Sequence, residues 1–265
     1  MPVVVLNGIV TRYSDYRDYD RILSIFTVEH GRIDAKARGC KRPTSALLAA
    51  SQPFVYAEFE LYQSGEKYTV NQAEVRESFF PIREDIERFS YGSAMLRLSQ
   101  EAVQPEQPND ALFSLMYYAL SYLAYGESDP QDLFICFLLR FLNIAGYCPS
   151  IVSCAGCGRD IRQDARIAFS ARQGGAVCAA CGGGSRAITK LSLELMRRML
   201  ILSDEGMDRV VLKENSRREL LTALTEYAEC VLEYGARALH FVRQTIDDGE
   251  QEYKKVSEIR QNEHI

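Results

Sequence analysis

The sequence lacks the motifs that mark the common nucleotide-dependent and zinc enzymes. No GxxxxGKS/T phosphate loop occurs in the 265 residues, so the chain offers no basis for nucleotide hydrolysis. No HxE motif precedes the cysteine pairs, as zinc deaminases require. Only three histidines are present, and none belongs to a nucleophile–base arrangement: His30, His240 and His264. These absences predict a protein that is not an enzyme.

Long apolar runs and export signals are also missing. The uncharged stretch at residues 111–126 contains serine and tyrosine, and its 16 residues fall short of the roughly 20 that span a membrane. The first residues, Met1-Pro2-Val3-Val4-Val5, show neither a basic start nor a cleavage site. With eight cysteines and no signal, we expect a protein of the reducing cytoplasm without membrane contact.

A net positive charge is lacking as well, although basic residues are concentrated locally. The overall charge of −5 argues against indiscriminate nucleic-acid binding. Residues 1–80 are neutral, residues 151–200 carry +5, and residues 81–150 and 201–265 carry −5 each. Within the neutral part, one short segment with a single carboxylate holds five cations: Arg32, Lys36, Arg38, Lys41 and Arg42. Such a stripe either binds phosphates or is a solvated charged face, and the sequence leaves both open.

The clearest chemical signal is a pair of CxxC motifs. Cys154 and Cys157 form the first, Cys178 and Cys181 form the second, and 20 residues separate the two. Two such pairs brought together by a glycine-containing hairpin form the tetrahedral thiolate cage that zinc prefers. Redox or disulfide use is the alternative, but the glycine-rich flanks do not resemble a thioredoxin-like βαβ unit. We therefore predict a zinc ribbon with one structural Zn2+ per chain.

Residues 1–80 have the pattern of an OB-fold barrel. Five short segments are rich in β-branched and aromatic residues: 3–13, 21–29, 32–38, 54–62 and 67–76. The apolar residues 46–50 predict a helical turn or two between the third and fourth strands. Alternation along the third strand places Arg32, Lys36 and Arg38 on one face of the sheet.

This barrel supplies a candidate DNA site. In OB-folds, single-stranded nucleic acid binds the face of strands 2 and 3 and the loop between strands 1 and 2. That loop contains three tyrosines and an arginine, which suit base stacking beside phosphate contacts. Alternatively the tyrosines cap the barrel end, and three aspartates of the loop would repel a phosphate backbone. The predicted DNA-binding residues are Arg32, Lys36, Arg38, Lys41, Arg42, Tyr13, Tyr16, Arg17 and Tyr19.

The hydrophobic period becomes helical beyond residue 80. We predict helices at residues 84–103, from the cap Asn109 to Gly126, and from Pro130 to Gly146. Apolar positions predict another helix at residues 191–202, and a capping box predicts the start of a long one: Ser216 and Glu219.

The predicted fold class is therefore α+β, an N-terminal OB-fold β-barrel followed by an all-helical domain with an inserted four-cysteine zinc ribbon. The expected domains are an OB-fold DNA-binding domain (1–80), the two parts of the helical domain (81–150 and 188–246), the zinc-ribbon insertion (151–187) and a tail (247–265). The tail is rich in charge and poor in apolar residues, so we expect it to be disordered.

Short motifs in a fixed order complete this picture. In the barrel they are Gly8-Ile9-Val10, Ile25-Phe26-Thr27, Gly31-Arg32, Ala37-Arg38-Gly39-Cys40-Lys41-Arg42-Pro43 and Gln52-Pro53-Phe54. Around the cysteines they are Gly146-Tyr147-Cys148-Pro149, Phe169-Ser170 and Gly174-Gly175. Over about residues 1–245, this order of barrel, helices, ribbon and helix resembles the bacterial recombination mediator family RecO.

The resemblance implies a non-catalytic protein of DNA repair in the RecF pathway, located in the cytoplasm at the nucleoid. It implies binding to single- and double-stranded DNA, annealing of complementary strands, and cooperation with RecR in loading RecA on DNA coated by single-strand-binding protein. The acidic C-terminal tail of that protein is then expected to dock on the helical domain, and RecR has room to supply part of the positive surface. A zinc-ribbon scaffold that binds proteins, with only incidental DNA contact, is the alternative. A zinc enzyme is disfavoured because a four-thiolate site is closed.

Overall fold

The computed structural model describes residues 2–244 of the chain. The tail predicted at residues 247–265 lies outside the described residues. Contacts divide the chain into two units, Met1–Pro130 and a second that begins at Gln131. The first unit thus contains the barrel together with the helices that follow it, and the second contains the cysteine pairs.

The first unit begins with a closed five-stranded barrel. Its strands are β1 (Val3–Tyr16), β2 (Asp20–Thr27), β3 (Gly31–Ala37), β4 (Tyr56–Ser64) and β5 (Lys67–Glu77). The order is β1-β2-β3-β5-β4, with β1 closing onto β4 and with β3 parallel to β5. A short helix, α1 (Leu47–Ala50), connects β3 to β4. This topology confirms the predicted OB-fold.

Alternation of side chains builds the barrel core. Along β3, Ile33, Ala35 and Ala37 are buried among residues such as Phe59 and Leu61 of β4. The polar side chains between them point outward. The alternation of side chains predicted from the sequence therefore identifies which side of β3 faces the core and which faces solvent.

The hairpin of β1 and β2 extends further than predicted. Tyr13 pairs with Leu23 and Tyr16 pairs with Asp20, so residues 13–16 belong to the strand and not to a loop. The turn itself is residues 17–19, in which Arg17 has a left-handed φ of 58°. Consequently Tyr13 and Tyr16 occupy fixed positions on a paired strand.

Three helices complete the first unit: α2 (Pro81–Glu84), α3 (Ile86–Ala102) and α4 (Asp110–Tyr125). The helix predicted at residues 84–103 is α3, which begins two residues later than predicted because Asp85 is extended and caps it, accepting from the Arg88 N–H at 2.9 Å. Asn109 caps α4 as predicted, accepting from the Leu112 N–H at 3.0 Å. Gly126 follows the last residue of α4, also as predicted.

Helix α3 packs closely on the residues that precede β4. A Cβ on Gly92 would lie 3.0 Å from Cε1 of Phe54, so the bare backbone lets this ring approach the helix. Phe54 is buried with a left-handed φ of 74°, a conformation that costs roughly 1–3 kcal/mol and persists where surrounding packing fixes it. Arg32 of β3 also bonds to α3, donating from Nη1 to the carbonyl of Gln100 at 3.0 Å.

The second unit consists of helices around a small sheet. Its elements are α5 (Pro130–Ile144), β6 (Ile167–Ser170), β7 (Gly175–Cys178), β8 (Arg186–Ala187), α6 (Lys190–Ile201), a 3-10 helix (Asp204–Arg209), α7 (Glu214–Val231) and α8 (Gly235–Ala238). The first residue of α5 is the last of the first unit. Within residues 2–244, every helix is too short or too polar to cross a bilayer.

The predicted capping box at Ser216 and Glu219 is wrong. Helix α7 begins earlier, at Glu214, and Ser216 is buried inside it. The Glu219 carboxylate instead accepts hydrogen bonds at the start of α6, from the Thr189 N–H at 2.8 Å, the Thr189 hydroxyl at 2.8 Å and the Ser192 hydroxyl. This residue therefore ties α7 to the N-terminus of α6.

A buried ion pair connects α5 to α7. The Asp132 side chain is 1% exposed and accepts from Nε of Arg217 at 2.6 Å and Nη2 at 3.1 Å. The same carboxylate accepts from the Leu212 N–H at 2.8 Å. Removing the carboxylate would take the acceptor from the Leu212 N–H and from Nε of Arg217, whereas Nη2 also donates to the Leu212 carbonyl at 3.4 Å.

We expect Asp132→Ala to destabilise the protein by about 3 kcal/mol, because it leaves the buried Leu212 N–H without its partner and removes the main carboxylate partner of the Arg217 guanidinium. This loss of stability lies at the lower end of the range for a broken buried ion pair, because Arg217 still contacts the Glu214 carboxylate at 3.5 Å. Urea unfolding measures it, with Glu214→Ala as the control at under about 0.5 kcal/mol. Equal stabilities for the two variants would contradict this role of Asp132.

Candidate metal centre and nucleic-acid interface

The two CxxC pairs meet in the second unit. The Sγ atoms of Cys154, Cys157, Cys178 and Cys181 all lie within 4.8 Å of one another. Sulfurs at the corners of a tetrahedron with metal–sulfur bonds of about 2.3 Å are about 3.8 Å apart. The Sγ atoms of Cys157 and Cys178 are 3.9 Å apart, close to that value. The cluster therefore has the donor set and spacing of a four-thiolate metal site.

Tight turns hold each pair of cysteines. In the first, the Cys154 N–H donates to the carbonyl of Arg159 and the Gly158 N–H donates to the carbonyl of Cys154, both at 2.8 Å. In the second, the N–H groups of Cys181 and Gly182 donate to the Cys178 carbonyl at 3.1 and 2.9 Å. Each turn thereby directs its two thiols toward the same point.

Pairing of Ser150 with the β6–β7 hairpin brings the two turns together. The Ser150 N–H donates to the Gly174 carbonyl at 2.9 Å, and the Ala176 N–H donates back to the Ser150 carbonyl at 2.7 Å. Gly175, at φ 140°, has no room for a side chain because a Cβ would lie about 3 Å or less from the backbone of Ser150. The Ala155 N–H continues the contact by donating to the Ala176 carbonyl at 2.8 Å. The predicted hairpin thus places the first turn beside the second.

Backbone N–H groups stabilise thiolates at the two buried positions. Burial raises the pKa of Cys154, but N–H groups of Cys178, Cys157 and Gly156 outweigh it and lower that pKa to about 6. The Cys181 N–H lowers the pKa of Cys178 in the same way. Hydrogen bonding of the Cys181 thiol with the neighbouring sulfurs, that of Cys178 first, raises its own pKa to about 12. Thiolates are the form that binds metal, so the backbone favours ligation at the buried pair.

The other four cysteines lie outside the cluster. Cys40 and Cys136 are buried, whereas Cys148 and Cys230 are exposed. Burial raises the pKa of Cys136 to about 12, which keeps its thiol protonated. These positions provide matched controls for the cluster.

We expect Cys178→Ser to abolish tetrahedral binding of Co2+ as a spectroscopic probe, because one thiolate of the cage is lost. Titration of the purified protein should give the intense visible absorption of tetrahedral Co2+ with the parent and with Cys230→Ser. The same absorption from Cys178→Ser would show that this residue is not a ligand.

The nine predicted DNA-binding residues lie on β1, on β3 and in the segments that follow these two strands. Tyr13 and Tyr16 are on β1 and Arg32 and Lys36 are on β3, while the remaining five lie beyond strand ends: Arg17, Tyr19, Arg38, Lys41 and Arg42. Three cations lie over tyrosine rings, at distances from the ring centroid of 4.5 Å (Lys36 over Tyr16), 5.3 Å (Arg17 over Tyr16) and 5.1 Å (Arg42 over Tyr19). The structure thus brings the tyrosines of the hairpin together with the basic segment.

The aspartates expected to repel DNA are paired with cations of the same surface. Asp15 contacts Lys41 at 3.0 Å and Arg21 at 3.3 Å. Asp20 contacts Lys36 at 3.3 Å and accepts from the Gly39 N–H at 2.8 Å. The Lys41 ammonium lowers the pKa of Asp15, and the Gly39 N–H lowers the pKa of Asp20. Both carboxylates are therefore satisfied within the barrel.

The five cations of the basic stripe are not equivalent. Arg32 is partly buried by its bond to α3, and Lys36 and Lys41 are paired with aspartates. Arg38 and Arg42 are exposed, and neither joins an ion pair within residues 2–244. These two arginines are the most available for phosphate.

Arg21 was not among the DNA-binding residues predicted from the sequence, although it lies beside them. Its guanidinium lies 3.7 Å from the centroid of Tyr13 and bonds Asp15. The available signal was the hairpin register, which sets Arg21 directly opposite Asp15. That register was hidden because residues 13–16 were assigned to a loop.

The fold defines the class as an OB-fold protein: a closed barrel with a basic and aromatic face is followed by helices and by a small sheet beside which four cysteines cluster. The family model described as Recombination protein O N terminal matches residues 1–79, and that described as Recombination protein O C terminal matches residues 83–240. The chain belongs to the Recombination protein O family. Family membership supports a role in DNA repair.

Several relatives carry the name DNA repair protein RecO. That of Desulfitobacterium hafniense (strain Y51) is 33% identical over 256 residues, 94% of this chain and 93% of the relative. That of Alkaliphilus metalliredigens is 32% identical over 228 residues, 85% and 92% of the two chains. That of Caldicellulosiruptor saccharolyticus is 30% identical over 246 residues, 92% and 99% of the two chains. The similarity therefore extends over both units.

Proposed function

We propose that this protein is a non-catalytic, DNA-binding mediator of recombinational repair in the RecF pathway. It binds single- and double-stranded DNA, anneals complementary strands, and acts with RecR to help load RecA on DNA coated by single-strand-binding protein. Its family membership supports the repair role. The observation that carries the DNA-binding part of the proposal is the face formed by the β1–β2 hairpin and the segment after β3.

This face combines the two groups that single strands require. Tyr16 and Tyr19 are 40% and 50% exposed, and each has an arginine near its ring: Arg17 beside Tyr16 and Arg42 beside Tyr19. A base stacked on such a ring gains about 1–3 kcal/mol, and the neighbouring guanidinium reaches the phosphate. Stacking does not depend on sequence, so the face suits a protein that anneals any complementary strands.

The local charge of the face is positive although the whole chain is acidic. Residues 12–42 contain eight basic and five acidic side chains, a net charge of +3. Because Asp15 and Asp20 are already paired, the unpaired charge at the surface is mainly arginine. Local potential governs phosphate binding, so the net charge of −5 does not oppose it.

Two protein partners belong to the proposal. RecR supplies further positive surface to a chain whose total charge is negative. The acidic tail of single-strand-binding protein docks on the helical part. Both partners are proposed from the family alone, and the mediator carries out no covalent step.

The four-cysteine cluster is proposed to hold one structural zinc ion, with Cys154, Cys157, Cys178 and Cys181 as its ligands. Zinc supplies folding energy at such a site, about 10–16 kcal/mol in small zinc-finger peptides. Four thiolates close the coordination sphere, so the site positions the ribbon and does not activate water. The guanidinium of Arg159, which pairs with Asp164 at 2.5 Å and lies near Cys178, offsets part of the negative charge of the cage.

We expect the protein, purified without chelator, to contain about one zinc ion per chain, because four thiolates form one closed tetrahedral site. Elemental analysis measures this content, and Cys178→Ser should contain much less. Well under one zinc in the parent would contradict the structural role and favour redox use of the two pairs.

We expect replacement of Arg38 and Arg42 by alanine to weaken single-stranded DNA binding and to reduce its salt dependence. On single strands, the slope of log affinity against log salt should fall by about 0.7 for each lost phosphate contact. Adding Lys36→Ala and Lys41→Ala should change the slope less, because both lysines already pair with aspartates, but should weaken binding further, because Asp15 and Asp20 then lose a neutralising cation. Fluorescence anisotropy at several salt concentrations measures the slope.

Arg76→Ala is the matched control, since this β5 arginine is held by Glu58 at 3.0 Å and Glu74 at 2.6 Å. It should bind DNA like the parent. If the quadruple variant also binds and anneals like the parent at two salt concentrations, the barrel face is not the DNA site. The basic ribbon then becomes the leading candidate, through Arg159, Arg162, Arg166 and Arg172.

A protein-binding scaffold is the second candidate function. The charge of −5 in each of the segments 81–150 and 201–265 favours it, because acidic surfaces repel DNA and attract basic partners. A scaffold predicts that DNA affinity is weak and that the arginine replacements leave protein binding unchanged. The salt slope separates the two functions.

A further inference from the structure

A groove of about 330 Å³ lies in the first unit, between β1 and α3. Tyr13 and Arg12 contribute from β1, and Phe54 contributes from the segment before β4. Phe89 and Arg97 contribute from α3. None of these residues except Tyr13 was among the predicted DNA-binding residues.

The floor and one wall of the groove are aromatic. Phe54 is 1% exposed and forms the floor, whereas Phe89 is 43% exposed. Their ring centroids are 5.8 Å apart at an angle of 72°, an edge-to-face contact that fixes the orientation of the Phe89 ring. The half-exposed Phe89 ring is therefore presented to solvent in a defined geometry, supported from below by Phe54.

The rim of the groove is positively charged. Arg12 and Arg97 are exposed, and neither takes part in an ion pair within the described part of the chain. Glu101 also lines the groove, so its ionised side chains sum to +1. Aromatic walls with unpaired guanidinium groups are the chemistry that recognises a base and its flanking phosphates.

The groove is continuous with the DNA-binding face proposed above. Tyr13 lines the groove and at the same time lies under the guanidinium of Arg21, which bonds Asp15 of the face. Asp15 also contacts Lys41 at 3.0 Å, so a strand held at the basic segment after β3 reaches the groove past Arg21 and Tyr13. An acidic peptide with an apolar side chain shares some of this chemistry, but this continuity favours nucleic acid.

We propose that the groove holds an unstacked base of a single strand whose neighbouring nucleotides lie on the barrel face. Phe89 stacks on the base, and Arg12 and Arg97 contact the phosphates on either side of it. The inference rests on the proposed DNA-binding function and extends its site from the barrel to α3. On this proposal, the packing of α3 against the barrel creates part of the DNA-binding site.

The test compares short and long oligonucleotides. For the variant with Phe89→Ala and Arg97→Ala, we expect affinity for a thymidine oligomer of about 16 nucleotides to fall about tenfold, with affinity for one of about 6 unchanged. Ile86→Ala is the matched control, because this residue is 82% exposed on α3 and does not line the groove. Phe89→Tyr should restore most of the affinity, since it keeps an aromatic face.

Cross-linking locates the base directly. Oligomers containing 5-iododeoxyuridine should cross-link to Phe89 or Tyr13 on irradiation, as mapped by mass spectrometry. Cross-links confined to Tyr16 and Tyr19, or unchanged affinity for the longer oligomer in the double variant, would overturn the proposal. The proposal would also be overturned if these replacements weakened the binding of an acidic, aromatic peptide and left DNA binding unchanged.

The two proposals fail in different ways. If the barrel face is not a DNA site, the Arg38 and Arg42 replacements leave binding of the short oligomer unchanged. If only the groove is wrongly assigned, those replacements weaken binding and the α3 variant does not.

Discussion

The pairing of Asp15 and Asp20 with cations of the barrel determines which charges this protein presents to solvent. Lys41, Arg21 and Lys36 neutralise the two aspartates. The charge left over belongs to arginines beside exposed tyrosine rings. An acidic chain thereby acquires a local surface suited to phosphates and bases. The extended β1–β2 hairpin makes this pairing possible, because its register sets Asp15 opposite Arg21.

The cysteine cluster depends on a comparable backbone constraint in the second unit. Ser150 pairs with the β6–β7 hairpin at Gly175, where only glycine leaves room for the approaching chain. That contact sets the first CxxC turn beside the second, and N–H groups then favour thiolates at Cys154 and Cys178. Main-chain geometry thus sets the spacing of the four cysteines and favours the thiolate form of the two buried ones. Its closed coordination suits a structural purpose.

Local signals in the sequence were sufficient for much of the fold. The strand pattern predicted the barrel, Asn109 capped its helix as expected, and CxxC spacing identified the cysteines that cluster. The Ser216 and Glu219 prediction was wrong because that spacing also occurs inside a helix, where Glu219 reaches a neighbouring helix instead. Other contacts could not be predicted, because they depend on strand register and tertiary packing and not on neighbouring residues in the sequence. They are the pairing of the aspartates and the hydrogen bond from Arg32 to a carbonyl 68 residues away.

The central claim is that the barrel face binds DNA through phosphate contacts and stacking. A salt titration of single-stranded DNA binding by the unmodified protein tests it most directly. The account predicts a linear fall of log affinity with log salt, with a slope of about −0.7 for each phosphate contacted, and residual binding at high salt from stacking. Binding that is absent at low salt, or an affinity that does not change with salt, would contradict it.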